Sequence, residues 1–221
     1  MIVAIDGTTG SGKSTISKQL AKKFNFAYIR TGSFYRVLAY SAIISNIDAS
    51  NDKEVAQMLQ SVKIDADFSG HHVRIKLNNV DVSDKLNSPE VSIAASVIST
   101  LKCVREYVSA LQKHSAEIYD NIVMEGRDIG SVVFPNAELK VYVDCNIDVR
   151  AKRRQAQFAQ NGAHEDLEKI KNDILQRDYN DTHRAISPLV RLPEAYYLDT
   201  SNLSVEECVN KIAEQINKLQ K

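Results

Sequence analysis

The chain has 221 residues, of which 43% are apolar and 25% charged. This composition is typical of a folded globular protein and excludes a disordered or fibrous chain. Twenty-eight basic and 28 acidic residues cancel, so no global positive field is available to hold DNA, RNA or an anionic membrane, and any anion site must be local. The length predicts a single principal domain, residues 1–221, with room for a small insertion.

The cysteines and the first residues indicate where the protein acts. Cys103, Cys145 and Cys208 are far apart and show no C-x-x-C spacing, so neither a zinc site nor a disulfide framework is predicted. The opening run MIVAID is too short for a signal peptide, and no apolar stretch approaches about 18 residues. We therefore expect a cytoplasmic protein without a membrane span, acting as a monomer.

The first elements form a β-loop-α-β unit. A strand is predicted at residues 2–5, followed by a glycine-bearing loop and an amphipathic helix with apolar Ile16, Leu20 and Phe24 at helical spacing. A second strand at residues 26–29 closes the unit, which is typical of parallel sheets.

The rest of the chain continues the alternation of strands and helices. Strands are predicted at residues 122–125, 139–144 and 195–198, each beside a helical pattern. A capping box of Ser204 and Glu207 predicts the start of the last helix. The fold class is therefore α/β, with a central five-stranded parallel sheet flanked by helices.

Residues 63–84 interrupt this alternation. The segments 64–68, 73–77 and 80–82 alternate apolar and polar residues with period two, and Ser69-Gly70 and Asn78-Asn79 lie where tight turns are needed. We predict a small three-stranded antiparallel insertion between two helices.

A phosphate-binding loop follows the first strand. Residues 7–14, GTTGSGKS, match G-x-x-x-x-G-K-[ST] in full, in the strand-to-helix context that the motif requires. Backbone N–H groups and the helix N-terminus attract phosphate, Lys13 reaches the β/γ oxygens and Ser14 offers a hydroxyl to Mg²⁺. An ordinary glycine turn with an exposed lysine is the disfavoured alternative. We predict ATP with Mg²⁺ as phosphoryl donor, no tightly bound prosthetic group, Ser14 as the metal ligand, and donor-binding residues Gly7, Thr8, Thr9, Gly10, Ser11, Gly12, Lys13, Ser14 and Thr15.

Other classes of P-loop protein fit less well. A GTPase needs a D-x-x-G switch and an N-K-x-D guanine reader; residues 67–70 match the first, but they lie inside the predicted insertion and no N-K-x-D follows. The strand at 122–125 instead runs into Gly126-Arg127-Asp128. Charged residues at the carboxyl end of a strand lie where open α/β sheets bind ligands, so this cluster predicts an acceptor site.

Arginines support a kinase whose acceptor carries a phosphate, because such an enzyme must hold two anionic groups together. A single surface arginine is usually solvated or paired with a neighbour, and Arg150 with Asp148 is a candidate for such a pair. The grouping of the arginines favours a functional role. Arg36 follows the strand predicted at residues 26–29, and Arg127 follows the strand predicted at residues 122–125. Five more lie between the strands at 139 and 195, namely Arg150, Arg153, Arg154, Arg177 and Arg184.

From Ile2 to the final helix the chain resembles the bacterial cytidylate kinases of the nucleoside monophosphate kinase group. Besides the P-loop, the resemblance rests on residues 31–36 (TGSFYR), Ala95-Ser96 with Val104-Arg105, residues 126–135 (GRDIGSVVFP), and residues 177–189 from Arg177-Asp178 to Ser187-Pro188-Leu189. The insertion at 63–84 corresponds to that family's insertion in the acceptor-binding region.

The resemblance implies transfer of the γ-phosphoryl group of ATP to CMP or dCMP, giving CDP or dCDP and ADP. It implies that Arg36 and Arg127 hold the acceptor phosphate, and that Ser96, Arg105 and Asp128 read the cytosine edge, whose amine donor and N3 acceptor suit a carboxylate beside an arginine or hydroxyl. The implied acceptor-binding residues are Thr31, Arg36, Ser96, Arg105, Arg127, Asp128, Arg177, Asp181 and Arg184. Of these, the resemblance implies that Arg177, Asp181 and Arg184 serve the sugar and the phosphates, and the Asp181 carboxylate could accept from ribose hydroxyls.

The resemblance also implies a short lid at residues 150–184 that closes over ATP and excludes water, with Arg150, Arg153 and Arg154 in or beside it. The implied catalytic residues are Lys13, Arg127, Arg154 and Arg184. No general base is needed, because an acceptor phosphate dianion is already nucleophilic.

Three positions depart from the family pattern. Arg30 stands where an acidic residue is usual, Asn87 where an arginine is usual, and Glu125 where an aspartate is usual. These departures keep other hypotheses open: a kinase that prefers UMP or another small phosphorylated acceptor, a kinase of a non-nucleotide metabolite, and a nucleotide-binding protein without transfer activity. Asp128 as a partner of an arginine and Ser96 as a helix-packing residue also stay open.

Overall fold

In the computed structural model of the protein, residues 1–68, 73–160 and 162–220 are described. The strands are β1 (Ile2–Gly7), β2 (Ala27–Arg30), β3 (Ile64–Asp67), β4 (Arg74–Leu77), β5 (Val80–Asp81), β6 (Ile122–Glu125), β7 (Leu139–Asp144) and β8 (Tyr196–Asp199). The helices are α1 (Lys13–Phe24), α2 (Gly32–Ile44), α3 (Asp52–Leu59), α4 (Pro89–Ile98), α5 (Lys102–Ile118), α6 (Ile147–Gln160), α7 (Leu167–His183) and α8 (Val205–Leu219). A 3₁₀ segment covers Ser83–Asn87 and a π-helical turn covers Ile129–Val133.

The chain divides into two compact units. The first comprises Met1–Phe26 with Asn121–Lys221, and the second comprises Ala27–Asp120. No helix of the described chain is long and apolar enough to cross a membrane.

The main sheet has five strands in the order β2-β6-β1-β7-β8. β1 pairs in parallel with β6 and with β7, and β7 pairs in parallel with β8. Val3, Ala4 and Ile5 are fully buried, because β1 lies between two neighbours and a parallel sheet is covered on both faces. The predicted sheet is confirmed, and each predicted strand is present with its ends shifted by no more than two residues. The carboxyl end of β1 therefore lies beside those of β6 and β7.

Helices α1 and α8 bury their apolar faces in the first unit. Ile16, Leu20 and Ala21 of α1 are buried, as are Ile212 and Ile216 of α8. The spacing of these residues matches the helical period, so a continuous apolar stripe faces the core.

The predicted start of α8 is confirmed by its capping box. Glu207 N donates to Ser204 Oγ (3.2 Å) and Ser204 N donates to Glu207 Oε2 (2.8 Å). These reciprocal bonds satisfy backbone groups that a helix end leaves unpaired.

The predicted insertion is confirmed as a separate antiparallel sheet in the order β3-β4-β5. Asn78 and Asn79 have positive φ angles of 49° and 70° and connect the paired residues Leu77 and Val80, which is the geometry of a two-residue type I′ hairpin turn. Phe68 packs edge-on against Phe34 of α2, with ring centroids 5.8 Å apart. The predicted turn at Ser69-Gly70 lies outside the described residues.

Gly7 is the position at which β1 can leave the sheet for the P-loop. Its φ angle is +148°, and a Cβ added here would lie 1.9 Å from the carbonyl oxygen of Val143 on β7. Replacing Gly7 with alanine should therefore lower the free energy of unfolding by more than about 4 kcal/mol, because the clash is with backbone in a paired strand and cannot be relieved by a side-chain rotation.

Urea denaturation measures this change. Gly32→Ala is the matched control. Apart from its two chain neighbours and the backbone of its own helix, no atom of the described residues lies within 4 Å of the added Cβ, and alanine in a helix is slightly more stable than glycine. Equal stabilities of the Gly7→Ala and wild-type proteins would show that β1 and β7 separate easily at this point.

Candidate active site

The P-loop connects the end of β1 to the start of α1. Lys13 Nζ donates to the carbonyl oxygen of Thr8 (2.5 Å) and lies 3.4 Å from Ser11 Oγ, which itself donates to Thr8 O (2.9 Å). Gly10 and Gly12 have φ angles of 76° and 95°, a region that glycine enters at little cost. No side chain caps the N-terminus of α1, so the N–H groups of its first turn are available to an anion.

Lys13 is a buried cation whose hydrogen-bond partners are neutral oxygens. Burial, followed by the positive charge of Arg127, lowers the pKa of Lys13 to about 7. A polyphosphate bound in the loop would supply the missing negative charge and favour the protonated form. This is the electrostatic arrangement expected of a donor phosphate site.

Three side chains from outside the loop hold Thr8 and Thr9. Thr8 Oγ1 donates to Asp144 Oδ1 at the end of β7 (2.9 Å). Thr9 N donates to Asp178 Oδ1 of α7 (2.8 Å), and Thr9 O accepts from Arg150 Nη1 of α6 (3.0 Å). Arg150 and Asp178 form an ion pair with each other. The backbone of Thr9 is therefore fixed on both its N–H and its C=O side.

The partner of Arg150 differs from the candidate suggested by its neighbours in sequence. Asp148 pairs with Lys171 (2.6 Å), whereas Arg150 pairs with Asp178, 28 residues further along the chain. The candidate Arg150–Asp148 pair suggested by the sequence is therefore wrong. The side chain of Arg150 on α6 points to the P-loop, where Asp178 of α7 is its partner.

Arg153 also supports the P-loop. Its Nη2 donates to Thr200 O (2.8 Å) and its Nη1 to Thr200 Oγ1 (3.2 Å), while Thr200 Oγ1 donates to Ser11 O (2.9 Å). Arg150 and Arg153 are among the arginines expected in or beside a lid at residues 150–184. Arg150 contacts the P-loop directly at Thr9, and Arg153 supports it through Thr200.

Arg154 and Arg177 are the exposed members of this arginine group. The Arg154 guanidinium lies 4.7 Å from the Phe158 ring centroid and donates to Gln157 Oε1 (3.3 Å). Partial burial, and then the positive charge of Arg177, lower the pKa of Arg154. The two arginines from α6 and α7 are therefore close enough to repel, and an anion between them would relieve that repulsion.

A charged cluster lies at the carboxyl end of β6. Arg127 Nε donates to Asp181 Oδ2 (2.6 Å), and Arg127 Nη2 donates to Thr9 Oγ1 (3.1 Å). Arg184 lies 3.7 Å from Asp181 and 3.8 Å from Asp128. The structure thus brings four sequence-predicted residues together and connects them to the P-loop through Thr9. Asp181 holds both arginines, a role beyond the sugar contact that the resemblance implies.

Ser14 and Glu125 provide oxygen ligands suited to Mg²⁺. Ser14 Oγ donates to Glu125 Oε1 (2.6 Å), and Glu125 is buried. A hydroxyl beside one carboxylate fits an ion that takes one or two protein oxygens and completes its shell with phosphate oxygens and water. Within residues 1–68, 73–160 and 162–220 there is no group of three or more acidic, histidine or cysteine side chains that could hold a metal.

The remaining predicted acceptor residues lie in the second unit. Arg36 Nη1 donates to Leu86 O (2.7 Å) and to Ser92 Oγ (2.9 Å). Arg105 is buried, with its guanidinium 5.7 Å from the Tyr35 ring centroid. Arg36 thus joins α2 to the 3₁₀ segment and to α4.

Thr31 and Ser96 differ in exposure. Thr31 is buried at the start of α2, where its carbonyl oxygen accepts from Phe34 N (3.0 Å). Ser96 is exposed on α4, and its carbonyl oxygen accepts from Ser99 Oγ (2.9 Å). The exposure of Ser96 disfavours the alternative that it serves as a helix-packing residue.

Sequence reasoning missed three carboxylates that hold the site: Asp6, Asp144 and Asp178. Asp6 Oδ1 accepts from Ile129 N (2.9 Å) and Asp6 Oδ2 accepts from Gly130 N (2.7 Å). Burial raises the pKa of Asp6 to about 6, although those two backbone hydrogen bonds oppose the rise. The signal that could have found Asp6 and Asp144 is their place at the carboxyl ends of predicted strands, where α/β sheets place functional residues.

A parallel sheet with a P-loop after its central strand, a buried lysine and a second cationic cluster beside the loop define a P-loop phosphotransferase. The sequence matches the model of the family described as cytidylate kinase over residues 3–218. The chain belongs to the cytidylate kinase family, which confirms the resemblance drawn from its motifs.

Curated relatives agree with this assignment. The chain is 40% identical over 221 residues to a protein named cytidylate kinase from Lactobacillus johnsonii, covering 100% of this chain and 96% of the relative. It is 39% identical over 210 residues to the cytidylate kinase of Bacillus cytotoxicus, covering 95% and 93%. A crystal structure of an uncharacterized protein from Eubacterium ventriosum, 13% identical with a TM-score of 0.53 over 98% of each chain, shares the fold.

Proposed function

We propose that this protein transfers the γ-phosphoryl group of ATP to CMP or dCMP and releases ADP with CDP or dCDP. The observation that carries the proposal is the hydrogen bond from Arg127 Nη2 to Thr9 Oγ1 (3.1 Å). A cation that follows β6 contacts the phosphate-binding loop directly, so a guanidinium that binds the acceptor phosphate is held next to the donor site. Family membership and relatives named cytidylate kinase support CMP as the acceptor.

The donor is ATP, bound along residues Gly7 to Thr15 with Lys13 on its β/γ oxygens. When bound, Mg²⁺ would be held by Ser14, with Glu125 beside it, and would neutralise charge on the phosphate oxygens. Asp144, Asp178 and Arg150 hold the loop in place before ATP arrives. Binding therefore requires little rearrangement of Thr8 and Thr9.

The acceptor phosphate is assigned to Arg127, Arg184 and Arg36, with Arg177 serving the sugar and phosphates. Asp181 orients Arg127 and Arg184 by accepting from the first and lying 3.7 Å from the second. The base is assigned to Asp128, Ser96 and Arg105, and Thr31 completes the acceptor set.

The reaction needs no general base. An oxygen of the acceptor phosphate dianion forms a bond to the γ-phosphorus as the bond from that phosphorus to the β–γ bridging oxygen breaks, and ADP leaves. Lys13, Arg127 and Arg184 stabilise the charge that develops on the transferred group. Arg154 approaches that group when the lid at residues 150–184 closes and excludes water, while Arg150 and Asp178 near its ends stay bonded to Thr9. The protein thus contributes position and charge rather than covalent chemistry.

A coupled ADP-release assay tests the proposal. Purified protein is mixed with Mg²⁺ and ATP against CMP, dCMP, UMP and AMP, with a Lys13→Met protein as blank. Turnover with CMP or dCMP well above the other acceptors is the expected result. Activity confined to UMP would keep the kinase and direct attention to Arg30 and Asn87, whereas silence with all four would overturn the proposal.

Replacing Asp128 with alanine should remove most of the discrimination between CMP and UMP. A carboxylate accepts from the cytosine amine and repels the uracil carbonyl, a difference worth about 1–3 kcal/mol, or about 5- to 150-fold in kcat/KM. The ratio of kcat/KM for the two acceptors measures it. An unchanged ratio would leave Asp128 as an ion-pair partner of Arg184, which lies 3.8 Å away.

We also propose that the protein acts in the cytoplasm as a monomer and binds neither nucleic acid nor membrane. All three cysteines are free, which suits a reducing compartment, and the net charge of zero gives no general attraction to polyanions. Light scattering of the purified protein tests the monomer, with a mass near 24.7 kDa expected.

A further inference from the structure

The Asp6 carboxylate contacts the chain segment that follows β6. Asp6 is buried near the end of β1, and each of its two oxygens accepts one backbone N–H, from Ile129 at 2.9 Å and from Gly130 at 2.7 Å. Two successive amides thus converge on one carboxylate, a geometry that backbone uses to hold anions. Burying a carboxylate is costly unless such bonds compensate it.

A second bond from β1 holds the other end of the same segment. Gly126 N donates to Ile5 O (2.9 Å). The adjacent residues Ile5 and Asp6 therefore fix residues 126 and 129–130, and only Arg127 and Asp128 lie between the two anchors. The next residue of β1 is Gly7, with which the P-loop begins.

We propose that Asp6 is a positioning residue for the acceptor nucleotide: it holds the 126–130 segment so that Arg127 and Asp128 meet the acceptor in register with the P-loop. This inference rests on the proposed function. Asp6 acts through the backbone and touches neither substrate. Register matters because in-line transfer tolerates little error, and a displacement of about 1 Å can lower the rate about 100-fold.

The chemistry of the side chain explains why a carboxylate is suited to this position. Aspartate has two acceptor oxygens and no donor, whereas asparagine would direct its amide NH₂ at one of the two N–H groups. A pKa of about 6 keeps the carboxylate mostly ionised at neutral pH. Gly130 packs against this carboxylate, since a Cβ at Gly130 would be in ordinary van der Waals contact with Asp6 Oδ2 at 3.5 Å.

The test is Asp6→Asn, with steady-state kinetics in which CMP and ATP are varied separately and calorimetry for the Kd of ATP. We expect the KM for CMP to rise about tenfold with a fall in kcat, while the KM and Kd for ATP stay within about twofold of wild type. A merely structural role would reduce Tm or the active fraction and would leave both KM values unchanged.

Asp199→Asn is the matched control. Asp199 is also a carboxylate at the end of a strand, β8, and its Oδ1 accepts from Ser201 N (2.8 Å) and Ser201 Oγ (2.5 Å). It is exposed, and these bonds go to a residue two positions along the chain rather than to the 126–130 segment. All kinetic constants of this variant should match wild type.

Asp6→Ser keeps the inference testable if Asp6→Asn does not fold. A serine hydroxyl is small and uncharged and cannot accept from Ile129 N and Gly130 N with two separate oxygens as the carboxylate does, and a rise of about threefold or more in the KM for CMP alone is expected. An unchanged KM for CMP in the folded variants, or equal rises for both substrates, would overturn the role of Asp6. Absence of turnover by the wild-type protein with every monophosphate would overturn the proposed function first, and this role with it.

Discussion

Replacing Lys13 with methionine should lower the rate of phosphoryl transfer by at least about 100-fold and, at the same time, raise the stability of the nucleotide-free protein. Loss of a charge that stabilises the transferred phosphoryl group lowers kcat by about 10²- to 10³-fold. Methionine fills the same buried space without a charge, and the hydrogen bonds of Lys13 go to the neutral oxygens Thr8 O and Ser11 Oγ. The free energy of unfolding near pH 6 should rise by about 1–3 kcal/mol, because the cost of burying the cation exceeds the attraction of Glu125, Asp181 and Asp6.

The destabilising contribution of the Lys13 charge to the free energy of unfolding depends on pH. The pKa of Lys13 is lowered to about 7 in the folded protein and is about 10.4 in an unfolded chain. Between these values the unfolded chain binds more protons, so the Lys13 contribution to the free energy of unfolding rises with pH. The cost of the buried charge is thus fully present below about pH 7 and is relieved toward pH 10.

Thermal and urea denaturation at about pH 6 and about pH 9 measure this difference. The wild type should gain about 2–3 kcal/mol relative to Lys13→Met over that interval. Lys18→Met is the control, since Lys18 is exposed on the same helix and its removal should change neither kcat nor the pH dependence. A Lys13→Met protein that is less stable than wild type at both pH values would mean that the Lys13 hydrogen bonds outweigh its desolvation.

The parts of the site that the sequence predicts are those coded by contiguous residues. The P-loop is recognisable because its glycines, Lys13 and Ser14 act through a local strand-to-helix geometry that the same few residues create. The strands are recognisable for a similar reason, since burial on both faces of a parallel sheet requires continuous apolar runs. The Asn78-Asn79 turn is likewise local, because positive φ angles favour asparagine and glycine.

The parts that the sequence does not predict depend on contacts between distant residues. Asp6 bonds to N–H groups 123 and 124 residues away, and a backbone donor leaves no mark in the sequence. Arg150 meets Asp178 rather than its neighbour Asp148, because the direction of a helical side chain depends on what its helix packs against. The resemblance implies a sugar and phosphate role for Asp181, whereas its hydrogen bond from Arg127 Nε (2.6 Å) joins residues 54 apart in the chain and is visible only in the structure.

Replacing Arg127 with alanine should lower kcat/KM for CMP by about 10³-fold while changing the Kd of ATP by less than about threefold. Its guanidinium donates to Asp181 (2.6 Å) and to Thr9 Oγ1 (3.1 Å), so truncation removes an acceptor cation and also leaves Asp181 without its closest partner. Arg127→Lys should recover only part of the loss, since an ammonium group lacks the planar fork that bonds two partners at once.

Arg191→Ala is the matched control for Arg127→Ala. Arg191 is exposed, and its guanidinium lies over the Tyr197 ring, 4.0 Å from the ring centroid. Its removal should leave both the kcat/KM for CMP and the Kd of ATP unchanged. A large rise in the Kd of ATP on replacing Arg127 would make it a donor ligand instead, and unchanged use of CMP would remove it from the acceptor set.

A double-mutant cycle of Arg127→Ala with Thr9→Val tests whether Arg127 only binds the acceptor phosphate or also aligns it with the P-loop. Valine removes the hydroxyl that accepts from Arg127 but keeps the backbone bonds of Thr9 to Asp178 and Arg150. If Arg127 acts in register with the P-loop, the two substitutions should be non-additive in kcat by about 0.5–3 kcal/mol. If Arg127 only holds the acceptor phosphate, the effects should add. Non-additivity would show that the donor loop and the acceptor cation work as one unit, so the hydroxyl of Thr9 would join the residues that align the two phosphates.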